Sequence, residues 1–244
     1  MSFVADLRRV FRSLLRERAF STAVVLTLAL GIGANTAMFT LLRGTLLRPL
    51  PNREGERLIY LRQSAQAAGQ ENVLFSVPEI VDLRTGVRSL SGIAEYSTMT
   101  FAMLADEEPK YVQAGVISGN YFDVMGLGAV IGRVTSRADD GPNVPSVGVL
   151  SHQFWLQQFG GDPGVIGKLI RVNDRPLTVV GVAQSAPHYP QRTDIFVNMV
   201  TSPHHLDATM QDGRTHRMTE VFARLEPTSS LEQVRTEIAT VNAA

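Results

Sequence analysis

Residues Val147–Val182, VGVLSHQFWLQQFGGDPGVIGKLIRVNDRPLTVVGV, hold a strand, a helix and a hairpin in direct succession, and they decide the fold class. Val147 to Leu150 is a short apolar run of strand character. Ser151 stands where a helix N-cap belongs and Gly160-Gly161 where the helix should close, so the spacing predicts a helix between them. Trp155 and Phe159 lie four apart on one face of that helix, which marks them as core anchors rather than a ligand platform. Leu169 to Val172, the turn pair Asn173-Asp174 and Leu177 to Val182 then read as a hairpin. Strand and helix mix here without the regular alternation of a doubly wound parallel sheet, and the expected class is α+β.

Working outward, the same signals recur. Leu58 to Leu61 reads as a first strand, and Ser76-Val77-Pro78-Glu79 has capping-box spacing for a helix from Val77 to about Leu83 that ends near Gly86. Ile93 to Tyr96, Thr100 to Leu104 and Lys110 to Ile117 read as a three-strand meander, with Asp106-Glu107-Glu108-Pro109 turning between the last two. Asn120 to Met125 suggests a short helix. Ile195 to Val200 and Val221 to Leu225 are further strands, and Ser230 caps a final helix from Leu231 to about Val241.

Upstream of all this, Phe20 to Leu42 is a run of 23 uncharged residues, FSTAVVLTLALGIGANTAMFTLL. As a helix it reaches roughly 35 Å, enough to cross a hydrocarbon core of about 30 Å with modest tilt. Arg8, Arg9, Arg12, Arg16 and Arg18 crowd its N-terminal side, so the N-terminus is expected in the cytoplasm and everything after about Arg43 outside. Leu7, Val10, Phe11, Leu14 and Leu15 recur at helical spacing opposite those arginines, the pattern of an amphipathic elbow helix lying in the headgroup layer. Arg8-Arg9-Val10-Phe11 partly matches a twin-arginine export signal, but Arg16, Glu17 and Arg18 interrupt the path to an apolar run too long for a signal core. Within the span, Ala29, Gly33 and Ala37 share one face, a small-residue seam for packing on other membrane helices.

Charge and composition narrow the function. The net charge is zero, but the five arginines up to Arg18 against Asp6 and Glu17 leave +3 there and −3 over the rest. A body without a basic face is not expected to bind nucleic acid. With no cysteine in the chain, disulfides, thiolate nucleophiles and Cys-ligated metals are excluded. Gly161 to Gly167 has one residue too many for a phosphate-binding loop and Leu169 replaces its Ser or Thr, while Gly126-Leu127-Gly128 finds its third glycine, Gly132, one position late. His152, His188, His204, His205 and His216 contain no H-x-x-x-H pair, Ser151-His152 lacks a nucleophile elbow, and Asp139-Asp140 and Asp106-Glu107-Glu108 read as solvated loops. No catalytic, cofactor-binding or metal residue is assigned, and no cofactor is expected.

The stretches LALGIGANTAMFTLLRGTLLRPLP, FSVPEIVDLR, SGNYFDVMGLGAVIGR, Val147–Val182 and DIFV, in that order, resemble the MacB-like periplasmic core domain of ABC-transporter permeases of the FtsX-like, duplicated acidobacterial type, over about Leu7 to Val241. The resemblance implies a bilobed α+β domain with porter-like and sabre-like lobes, and a non-catalytic permease subunit that relays cytoplasmic ATPase motion to the periplasmic side. The implied division is a cytoplasmic elbow helix over 1–19, a transmembrane helix over 20–42, a linker over 43–56 and the core domain over 57–244. Implied partners are the lipid bilayer, a cytoplasmic ABC ATPase, the remaining permease helices or a second permease half, and a periplasmic adaptor. Because such permeases continue into three further membrane helices, the chain is expected to be an N-terminal fragment held in the bacterial inner membrane. The alternatives are a stand-alone membrane-anchored binding module without an ATP-driven cycle and an exported hydrolase.

Overall fold

The computed structural model describes residues 18–46, 51–65, 69–104, 109–187 and 189–243. Residues 1–17 of the expected elbow helix, the Asp106-Glu107-Glu108 turn and His188 lie outside them. The chain forms two compact units, 1–49 and 50–244.

Among the described residues the first unit contains one helix, α1 (Arg18–Leu46). Its most apolar portion, Ala19–Thr40, has a mean hydropathy of 1.7, and none of it is buried. Three of its threonines carry their own partners: the hydroxyls of Thr27, Thr36 and Thr40 each donate at 2.8 Å to the carbonyl four residues back. That back-bonding removes the cost of placing a hydroxyl in an apolar medium. Cβ atoms added at Gly31 or Gly33 would meet nothing within 4 Å, so the small-residue face is open.

The second unit is built on one nine-stranded mixed sheet. Its strands are β1 (Leu58–Leu61), β4 (Leu90–Leu104), β5 (Lys110–Ile117), β6 (Ala129–Gly132), β7 (Val147–Leu150), β8 (Leu169–Val172), β9 (Arg175–Ala183), β10 (Ile195–Asn198) and β11 (Glu220–Leu225). A separate hairpin joins β2 (Gln63–Ala65) and β3 (Gln70–Val73). The order across the sheet is β1-β11-β4-β5-β10-β7-β9-β6, with β8 pairing both β4 and β9. Only β5–β10 and β7–β9 are parallel; the other pairings are antiparallel. The helices are α2 (Val77–Gly86), α3 (Tyr121–Met125), α4 (His152–Phe159), α5 (Pro203–Leu206), α6 (Ala208–Asp212) and α7 (Leu231–Ala243).

Local chemistry explains these boundaries. Ser76 and Glu79 form the expected capping box of α2. The Ser151 hydroxyl accepts from Phe154 N at 3.3 Å to start α4, which Gly160 ends at φ 60°. Asn173 and Asp174 take φ values of 46° and 66°, the left-handed pair that a two-residue hairpin turn demands. Ser230 N donates to Gln233 and the Ser230 hydroxyl accepts from Gln233 N, which opens α7.

Two expectations change. The two strands read at Ile93–Tyr96 and Thr100–Leu104 are one fifteen-residue strand, β4. Its polar middle is not a break, because Ser97 is buried and its hydroxyl donates to Thr219 at 3.3 Å. The strand expected to reach Val200 stops at Asn198 and passes into a 3-10 turn over Met199–Thr201.

Period-two alternation gives the sheet its two buried faces. On β11, Val221 and Ala223 face α2 and α7, together with Ile80, Leu83 and Val234, while Phe222 between them joins Tyr96, Tyr121 and Phe122 of the opposite cluster. At the other end of the sheet a third cluster of Val112, Leu150, Val172, Leu177, Val179 and Ile195 packs beneath Trp155 of α4. The two lobes therefore share one continuous sheet, with β4 running through both: Ile93 and Ala94 belong to the first end, Phe101 and Met103 to the second. This is a mixed α+β domain accompanied by an N-terminal apolar helix.

Candidate functional site

A cleft of about 420 Å³ opens along the aromatic face of the sheet. Its floor follows from strand register. Tyr60 of β1 sits directly opposite Phe222 of β11, and their rings stack at 4.9 Å. Tyr189 meets Tyr60 edge-on at 5.4 Å, Phe196 of β10 packs on Phe122 at 5.2 Å, and Tyr121 lies between. Flat rings meeting at these angles leave edges uncovered, and a hollow forms where aliphatic side chains would interdigitate.

Two of the ring hydroxyls in this aromatic cluster, those of Tyr60 and Tyr96, are tied down. The Tyr60 hydroxyl donates to Glu220, and burial together with that carboxylate pushes the phenol's pKa well above its ordinary value. Tyr96 is bonded to Thr193 at 2.7 Å and accepts from Thr98 at 3.2 Å. A Cβ at Gly115 would lie 2.5 Å from the Tyr96 ring, so the glycine makes room for it. Largely apolar walls, with polar side chains such as His152, Gln153 and Gln191 among the lining, suit an apolar or amphipathic guest.

A second hollow of about 550 Å³ lies beside α3 and shares Phe122, Leu127 and Gln184 with the first. Gly126 turns there at φ 67°, and a Cβ on it would strike the Arg53 backbone at 2.7 Å. The Gly126-Leu127-Gly128 run is thus a helix end and turn.

The other sequence candidates fall into structural roles. Ser151 caps α4, and the His152 ring packs against Trp155 at 5.7 Å. Trp155 itself is buried and donates from Nε1 to the Asp162 carbonyl at 2.9 Å. Asp139 is gripped by Arg133 through two bonds of 2.8 Å, which hold its pKa below the ordinary carboxylate value, and Asp140 accepts from Gly119 N at 2.6 Å. Gly160 and Gly161 close α4, and Gly167 turns at φ 82°.

The histidines are distributed less simply. His205 is buried; its Nδ1 is bonded to the Ser202 hydroxyl at 2.9 Å, and burial, aided by neighbouring His204 and His216, lowers its pKa to about 4. His204 and His216, which sequence spacing kept apart, come together with Nε2 atoms 3.1 Å apart, and Met218 Sδ lies 3.1 Å from the first and 3.4 Å from the second. The available signal was His216-Arg217-Met218, whose alternate residues share one side of an extended segment.

The family model for the MacB-like periplasmic core domain matches residues 21–241. No curated protein matches the chain. Among solved structures, a domain of a putative permease from Porphyromonas gingivalis is similar with a TM-score of 0.60 and 17% identity, covering 80% of this chain and 86% of that one. The periplasmic region of MacB from Actinobacillus actinomycetemcomitans is similar with a TM-score of 0.57 and 16% identity, over 77% of this chain and 83% of that one. At these identities the structures speak for the fold, while the family match spans nearly the whole sequence. The chain belongs to the MacB-like periplasmic core domain family, a non-catalytic module of ABC-type permeases.

Proposed function

We propose that this domain is the extracytoplasmic lever of an ABC-type permease, relaying movement driven by a cytoplasmic ATPase instead of conducting substrate through its own helix. The supporting observation is the sheet edge: β1, the strand that enters the domain, pairs along its whole length with β11, from Leu58 opposite Arg224 to Leu61 opposite Val221. Displacement arriving at the entry strand is therefore passed straight into β11 and β4, and β4 carries it to the far end. In this reading residues 20–42 cross the inner membrane, 1–19 form a cytoplasmic elbow, 43–56 link, and 57–244 stand outside. The working partners are the bilayer, the ATPase, further permease helices or a second permease half, and a periplasmic adaptor.

The test uses the chain assembled with its ATPase in lipid nanodiscs and spin labels at the exposed positions Val81 and Val130, near opposite ends of the sheet. The distance between the labels within one domain should stay fixed on adding ATP and vanadate, while the distance between Val130 labels on two domains changes. A within-domain change, or no nucleotide-linked change anywhere, overturns the lever. The aromatic cleft favours a second reading, a membrane-anchored binding module. Saturable binding of an apolar fluorophore, lost in Tyr60→Ala, in a chain that fails to associate with any ATPase would select it.

A further inference from the structure

The lever has no use for His204, His216 and Met218, yet their donor atoms form a near-equilateral triangle with sides of 3.1, 3.1 and 3.4 Å. Around a metal held about 2.0 Å from imidazole nitrogen and about 2.3 Å from sulfur, donor atoms lie roughly 3.0–3.6 Å apart. We propose that these three side chains form a binding site for a soft monovalent metal ion, Cu(I) or its analogue Ag(I).

The donor set selects the metal. Two neutral imidazoles and a thioether offer no negative charge to a hard divalent cation, and the thioether favours Cu(I). Among the described residues no group of three or more His, Cys, Asp or Glu converges to hold a metal, so no carboxylate or thiolate set competes for this role.

The triangle is held from both sides. His216 and Met218 belong to an extended segment fastened to α2 by Arg214–Asp82 at 2.7 Å and Arg217–Glu79 at 2.6 Å. Next to it, Thr219 exchanges both backbone hydrogen bonds with Phe75, at 2.9 and 3.1 Å. His204 sits on α5, where Gln211 Nε2 donates to the His205 carbonyl at 2.5 Å. All three ligand residues are half-buried, so they are fixed in place but open to an ion from solvent. The Nε2–Nε2 contact is a hydrogen bond that the metal replaces, with the donor ring then carrying its proton on Nδ1.

The experiment titrates the full chain in detergent with Cu(I) under anaerobic conditions against a competing chelator, and records the copper X-ray absorption spectrum at one equivalent. One tightly held ion with two nitrogen and one sulfur neighbours is expected. Met218→Leu should weaken Cu(I) and Ag(I) binding by roughly 10-fold or more and remove the sulfur neighbour, and His204→Asn should weaken binding at least as much. Absence of stoichiometric Cu(I) binding overturns the site, as does a sulfur neighbour that persists in a folded Met218→Leu chain. The wild-type spectrum is independent of any variant's folding: a bound ion without sulfur is equally fatal.

Discussion

Two of the three clusters on this sheet differ in how they fill space: one is centred on branched aliphatic side chains, the other on stacked rings. Leu150, Val172, Leu177, Val179 and Ile195 are fully enclosed, whereas Tyr60, Tyr121, Phe196 and Phe222 border a cleft of about 420 Å³. Branched aliphatic side chains fill space from all directions; rings stack in planes, and their hydroxyls require fixed partners. One half of the sheet is thus sealed at these positions, and the other borders an open cleft.

The sharpest way to break that contrast is to hollow the sealed half. Leu177 is fully buried and packs so close to Gly148 that a Cβ there would come within 2.6 Å of it. Leu177→Ala should lower unfolding free energy by about 2–5 kcal/mol in denaturant titration. A loss below about 1 kcal/mol would mean that this half, too, has slack.

Filling the aromatic half is the complementary change. Gly115→Ala should cost about 1–3 kcal/mol by crowding Tyr96, and it should also alter binding of an apolar probe in the cleft. An effect on stability with no effect on the probe would separate the rings' packing from the cleft.

The smallest effect concerns pH. Asp139, gripped by Arg133, has a folded pKa below its ordinary 3.8. Its contribution is fully present above that ordinary value and is lost as pH falls through the lower folded one. Denaturation midpoints of the wild type should thus fall across that acid window more steeply than those of Asp139→Asn, and equal slopes would dismiss the pair.

Local signals carried much of the architecture. The Ser76–Glu79 box, the Ser151 and Ser230 caps and the Asn173-Asp174 turn each act within a few residues, and each stands where the sequence placed it. Strand β4 was misread because the burial of Ser97 depends on Thr219, which is distant in the chain. The cleft was illegible for the same reason, since Tyr60 and Phe222 meet only through sheet register. Likewise, the His204, His216 and Met218 triangle joins a short helix to a segment beyond the next one, a contact that no spacing rule encodes.

The pairing of β1 with β11 also orders the chain's assembly. β1 stands at the sheet edge and its partner is β11, so the first strand of this sheet in chain order must wait unpaired until about residue 225 has followed it. The closing of that edge is a long loop closure and should be a late step, after β4, β5 and the β8–β9 hairpin have found one another. Until then four residues, Leu58 to Leu61, present open backbone groups, and a chaperone guarding this domain would find its target there.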